Sequence, residues 1–247
     1  KFNQQEQTMN FEFSDEQNLL RGQAQGFLNE NCPISVVRRV LNGEEPYDAK
    51  LWQKVIEMGW TATVIPEEYE GLGLSYLELS VIAEELGRSL APLPFSSSVY
   101  LATEAILLAG SEEQKSSYLP RLAGGRAIGC FALAETTGHA TPANINTMGD
   151  AGILNGTKVP VADGDIADLA IVVGKSETGD GAAAYIVDLH QEGVARRRGG
   201  GARELLLLLQ LVRDVLAYLR QVRAGRRRRR QQAQHLLRGQ HRVEVRA

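Results

Sequence analysis

Cysteine, tryptophan and methionine are scarce in this 247-residue chain, at two, two and three, and aromatic residues make up only 6% of it. Cys32 and Cys130 stand far apart with no metal-ligand spacing between them. That excludes a disulfide framework or a cysteine-rich zinc site, and both read as reduced, packed thiols. Long apolar runs are missing too. A stretch such as 205–209 is far short of the roughly 20 residues that cross a bilayer as a helix, and no charged-then-apolar leader precedes the first helix signal. The expectation is a cytoplasmic protein with no membrane span. What remains, 43% hydrophobic and 23% charged residues, is the alphabet of a globular protein.

A formal charge of −3 hides two unlike segments. Residues 1–195 carry 27 acidic against 12 basic side chains, a net of −15, whereas residues 196–247 carry 3 against 15, a net of +12. The second segment contains no Lys, Ile, Phe, Asn, Ser, Thr, Pro or Met, and Arg, Leu, Gly, Gln, Ala and Val supply 46 of its 52 residues. Those six types have GC-rich codons, the pattern expected when a GC-rich gene is read out of frame, so a frameshift near Arg197 is expected. Arg226 to Arg230, with Arg220 and Arg223, would suit an arginine-rich nucleic-acid contact, but no aromatic residues are interleaved and the reading is disfavoured. Leu205, Leu208, Val212, Val215, Leu219 and Val222 step by three and four, which predicts an amphipathic helix over 204–222. At the other end, residues 1–9 read as an upstream extension outside the fold.

Between these ends the helix signals are local and strong. Ser14 with Gln17, Ser75 with Glu78 and Ser111 with Gln114 each have the spacing of a capping box, in which two orphan amide donors are satisfied reciprocally. After Ser75, Leu77, Val81, Ile82 and Leu86 recur at helical spacing, with Glu78, Glu84 and Glu85 assigned to the polar side. A further helix fits 48–58 through Leu51, Val55 and Met58. Pro92 and Pro94 then interrupt the path before the apolar run 99–109. From Ile128 the period shortens. Candidate strands fall at 128–134, 153–154, 158–161, 169–173 and 183–189, with Asn155-Gly156 as a hairpin signal.

Helices followed by strands predict an α+β protein: a helical domain over 10–125, a partial middle β-domain over 126–195 and the Arg-rich tail over 196–247. The expected core includes Leu19, Phe27, Leu51, Trp60, Leu79, Ile82, Leu86, Phe131 and Ile171.

Several features look chemical in isolation. Gly71-Leu72-Gly73 before a helix suggests a phosphate cradle, but without a preceding strand a tight turn is the better reading. Glu67, Glu68 and Glu70 read as a solvated acidic loop and His139 as a turn residue.

The stretch IPEEYEGLGLSYLELSVIAEELGRSLAP at 65–92, FEFSDEQ at 11–17, LAGSEEQKSSYLPRLAGG at 108–125 and LNGTKV at 154–159 together resemble the acyl-CoA dehydrogenases. The resemblance runs from about Phe11 to Arg197 and implies a helical domain followed by a β-barrel-like middle domain. It implies FAD as cofactor, an acyl-CoA substrate desaturated at the α–β bond, an electron-carrier flavoprotein, and a homo- or hetero-oligomer of acyl-CoA dehydrogenase subunits.

By position, CFALAETTG at 130–138 is similar to the family's flavin strand, so Phe131, Leu133 and Ala134 would line the isoalloxazine ring, joined by Val161 and Ala162. Pro94, Phe95 and Ser98 would fall in the acyl pocket. The family's hydroxyl before the Glu is Ala134 here. Pro160 and Ala162 replace the usual aromatic and hydroxyl. The catalytic carboxylate of the family lies in a second helical bundle, so no residue here is assigned to it. The implied readings are an incomplete, inactive dehydrogenase subunit or a non-catalytic partner subunit of a heteromer, with an arginine-tailed nucleic-acid binder as the alternative from another class.

Overall fold

The computed structural model describes residues 13–136, 144–150, 153–175 and 181–196. The Arg-rich segment, with its expected helix over 204–222, and the segment 1–9 lie outside the described residues, as does His139. The described chain divides into two compact units. One comprises the residues to Leu93 with Ala123–Gly125; the other comprises Pro94–Leu122 and the residues from Arg126. The change of period places a boundary after residue 125, whereas packing groups the helices of 94–122 with the sheet.

The first unit is helical: α1 (Asp15–Asn31), α2 (Ile34–Leu41), α3 (Ala49–Glu57) and α4 (Tyr76–Arg88), with short 3-10 turns at Trp60–Ala62 and Glu67–Tyr69. Both expected caps are present here, since Ser14 accepts from the Gln17 amide and Ser75 forms its reciprocal pair with Glu78. Asp48 caps α3, its Oδ1 accepting from the Leu51 amide at 2.7 Å, and its Oδ2 is held by Arg39 at 2.7 Å. Cys32-Pro33 ends α1, because proline has no N–H to continue the ladder. α1 packs on α4, with Gln17 donating to Glu78 at 2.9 Å and Arg21 to Glu84 at 2.7 Å across them. Ala123–Gly125 joins this unit because Thr61 donates to the Ala123 carbonyl at 2.6 Å and Gly125, at φ 62°, leaves no room for a Cβ beside Ile56.

Some side-chain expectations fail for a geometric reason. The buried stripe of α1 runs through Ala24 and Leu28, and Leu19 falls about 140° away from Ala24 at 100° per residue, leaving it 64% exposed. On α4 the stripe is Leu79, Val81, Ile82, Glu85 and Leu86, so Leu77 points to solvent at 58%. Glu85, assigned to the polar side, is instead buried, because Arg88 at 3.2 Å and Arg21 at 3.8 Å supply opposite charge. Met58 is exposed and Phe27 half-buried, the latter edge-on to Trp60 at 5.2 Å. Leu51, Trp60, Leu79, Ile82, Leu86, Phe131 and Ile171 are buried as expected.

The second unit layers helices on a mixed sheet. A π-helical segment (Ser96–Thr103) runs into α5 (Glu104–Ala109), followed by α6 (Glu112–Ala123), whose capping box joins Ser111 and Gln114. The strands are β1 (Gly129–Ala132), β2 (Met148–Asp150), β3 (Ile153–Asn155), β4 (Leu169–Lys175) and β5 (Ala182–Asp188). β4 is central, pairing antiparallel with β5 along its length and parallel with β1, while β2 meets β4 at Lys175 and pairs antiparallel with β3. Helices and sheet approach closely at Gly129, where a Cβ would lie 2.5 Å from that of Ala102.

The helix-then-sheet order agrees with the sequence reading, with local differences. Residues 158–161 are not a strand, since Pro160 has no amide for a ladder, and β2 was not expected. Asn155-Gly156 does not turn a hairpin, because β3 pairs back onto β2 and Gly156 instead lets the chain approach Thr147 where a Cβ would clash. No helix among the described residues is long and apolar enough to cross a membrane.

Candidate functional site

β1 leaves its ladder with β4 at Ala132, and the next three residues are taken over by the segment that follows β3. The Val159 amide donates to the Ala134 carbonyl at 2.8 Å. Lys158 Nζ donates to the Leu133 carbonyl at 3.1 Å and to Glu135 Oε1 at 2.8 Å. The same carboxylate accepts from the Thr147 amide at 2.8 Å, the Thr147 hydroxyl at 2.6 Å and the Asn146 amide at 2.7 Å. The Lys158 and Glu135 side chains are only 8% and 10% exposed.

Burial alone would raise the Glu135 pKa, but the Lys158, Thr147 and Asn146 donors outweigh it and hold the group at about 2. The Lys158 ammonium is pulled below its ordinary value by burial, against the opposing pull of Glu135. Thr147 also ties this cluster to the sheet, its carbonyl accepting from the Lys175 amide at 2.8 Å.

The helix layer reaches the other end of the same segment. The Ser98 hydroxyl accepts from the Gly129 amide at 3.2 Å, and Ser97 donates to Asp163 Oδ2 at 2.5 Å. Asp163 sits in the left-handed region at φ 55°, and burial raises its pKa despite the Ser97 hydrogen bond. Burial and then Asp163 push the Cys130 thiol up to about 12, partly offset by Arg196, so it is unreactive as a thiolate. Cys130 and Cys32 are both free and buried.

The residues singled out by sequence thus come from three stretches that meet: 94–98, 129–135 and 158–163. Leu133, Ala134 and Ala162 are buried, Val161 is half-buried, and Pro94, Phe95 and Ser98 are buried. Phe95 packs edge-on against Tyr100 at 5.3 Å. Phe131 pairs with Ile171 and shares its sheet face with Gly129, the face toward Ala102, so its ring packs beneath the helices. Leu133 and Ala134, with Val161 and Ala162 on the segment bonded to them, make up an apolar wall whose backbone is held at Leu133, Ala134 and Val159. These positions are apolar and largely buried, and 134 and 162 carry no hydroxyl.

Glu135, Lys158, Thr147, Ser97 and Asp163 are not singled out by any local pattern, and their contacts appear only in the fold. Glu135 and Lys158 do lie inside the quoted stretches CFALAETTG and LNGTKV. Their partnership joins positions 23 residues apart, and no local spacing signals it.

The Gly71–Gly73 loop is not a cradle. The amides of Gly71, Leu72, Gly73 and Leu74 donate to the carbonyls of Pro66, Ala62, Ile65 and Thr63, and Gly73 has φ 61°. Glu67, Glu68 and Glu70 are exposed.

The family description "Acyl-CoA dehydrogenase, N-terminal domain" matches residues 14–126. A probable acyl-CoA dehydrogenase of Bacillus subtilis is 30% identical over 191 residues, 74% of this chain and 32% of the relative. Among solved structures, an acyl-CoA dehydrogenase complexed with FAD from Bacillus anthracis is similar at TM-score 0.66 and 26% identity, over 78% of this chain and 34% of that one. The ChsE4-ChsE5 complex from Mycobacterium tuberculosis is similar at TM-score 0.66 and 28% identity, over 76% and 50%. The chain spans about a third to a half of the length of the curated relatives it matches.

Proposed function

The chain belongs to the acyl-CoA dehydrogenase family, and from that premise we infer that it forms the helical and middle portions of an FAD-dependent acyl-CoA dehydrogenase subunit. The observation that supports this reading is the joining of 133–134 to 158–159 through Val159 and Lys158, which brings together the two stretches that the resemblance assigns to the flavin. When bound, FAD would accept the hydride leaving the β-carbon of an acyl thioester. Leu133, Ala134, Val161 and Ala162 would hold one side of its ring. With methyls at 134 and 162, hydrogen bonding there falls to the backbone. Pro94, Phe95 and Ser98 back the acyl side, buried behind the surface. Proton abstraction is assigned to no residue of this chain.

A flavin-poor role as one partner of a heteromeric dehydrogenase is the second reading, favoured by the absent hydroxyls at Ala134 and Ala162. An electron-carrier flavoprotein as acceptor and assembly with other acyl-CoA dehydrogenase subunits accompany both readings. Titrating the 247-residue chain into FAD, followed by flavin fluorescence and visible absorption, tests the first reading: quenching with a shifted visible band is expected, and its loss in Val161→Glu. A chain that leaves the spectrum untouched at high excess argues for the partner-subunit reading, which predicts flavin only in a complex purified with its second subunit.

A further inference from the structure

We propose that Lys158 is a positioning residue that clasps the exit of β1 to the segment 158–162 and so sets the geometry of the wall. As a role in flavin binding, this rests on the reading given above. The ammonium holds one backbone carbonyl, that of Leu133, and one side chain, that of Glu135, two residues apart on the same strand exit. One residue on, the Val159 amide takes the Ala134 carbonyl between them. Three consecutive residues of 133–135 are therefore bound by two consecutive residues of 158–159. The register between the two stretches cannot slip without breaking all three bonds.

Glu135 does not depend on Lys158 for its own place, because the two Thr147 donors and the Asn146 amide remain if the ammonium is removed. Thr147 in turn is tied to β4 through Lys175. The carboxylate is thus anchored to the sheet, and Lys158 is the link that couples the incoming segment to that anchor. Without the ammonium, the chain keeps its sheet and loses the coupling.

The test compares the full chain with Lys158→Met, which keeps the apolar stem, and Lys158→Arg, which restores the charge. Native-state hydrogen exchange at the Val159 amide and FAD titration are the two readouts, and far-UV circular dichroism with the β4–β5 amides serves as the control for folding. Lys158→Met is expected to reduce protection at Val159 and to weaken FAD binding, each by about tenfold, the weight of one buried hydrogen bond. The β4–β5 amides should not change, and Lys158→Arg should recover both readouts in part. Unchanged Val159 protection in Lys158→Met would overturn the clasp, as would FAD binding indistinguishable from the parent chain. If the parent chain itself does not perturb FAD, the flavin reading falls, and the clasp is decided by the exchange data.

Discussion

At the scale of the residue, two carboxylates flank the wall and respond to pH in opposite senses. Glu135 titrates at about 2 against an ordinary 4.5, so the folded state favours its ionised form. The stability it contributes is present above pH 4.5 and is lost as the pH falls toward 2. Glu135→Gln should therefore flatten the acid side of a stability–pH profile. It should also cost about 3 kcal/mol near neutral pH, because Lys158 is left buried without its counter-charge. Urea unfolding at several pH values checks both expectations.

Asp163 is the reverse case. Burial raises its pKa, so the folded state favours the protonated form and stability declines as the pH rises through the raised value. Asp163→Asn keeps an acceptor for Ser97 and removes the buried charge, and it should raise the unfolding midpoint at neutral pH while leaving it little changed in acid. A midpoint lowered at neutral pH would show that the charge itself is needed.

At the scale of the element, helix starts are set locally and glycines differ by what surrounds them. Gly26 lies inside α1 with no atom within 4 Å of the place a Cβ would occupy, so Gly26→Ala should stabilise the protein by about 1 kcal/mol through helix propensity alone. At Gly71 the added methyl would meet the Ile65 carbonyl, and Gly71→Ala should cost about 3 kcal/mol by forcing the loop apart. Thermal or urea midpoints of the two variants should move in opposite directions. The loop's amides are spent on its own carbonyls, which is why a glycine pair that resembles a phosphate cradle in sequence is a structural turn. The capping box at Ser75 has a further use: Glu78 also accepts from Gln17, so the start of α4 is fastened to the start of α1.

At the scale of the whole molecule, the chain divides into two compact units, and every residue of the proposed wall and acyl side lies within the second. Glu135 is the carboxylate nearest in sequence to Ala134, yet it is held ionised at about 2 and engaged by four donors, so it is too weak a base to remove an acyl α-proton. The 247-residue chain alone is accordingly expected to show no reduction of an artificial electron acceptor with saturated acyl-CoA substrates beyond a no-enzyme control. Reproducible turnover would mean that another group supplies the base.

What the sequence determined by itself is whatever depends on neighbours three or four residues apart or on a repeating period. The three capping boxes, the α3 start at Asp48 and the change from helices to strands near Ile128 were all legible in this way. The helical and middle portions of the family fold were also legible, as a resemblance carried by contiguous motifs. Tertiary structure alone decided the rest. Glu85 reads as a surface charge until Arg21, 64 positions away, is packed against it. Gly156 reads as a hairpin residue until Thr147 occupies the space beside it. Lys158 and Glu135 show no sign of their partnership in sequence until β1 and the segment after β3 are laid side by side. A buried charge or a missing Cβ has meaning only relative to the atoms that replace water around it. Those atoms come from distant parts of the chain, which local periodicity does not encode.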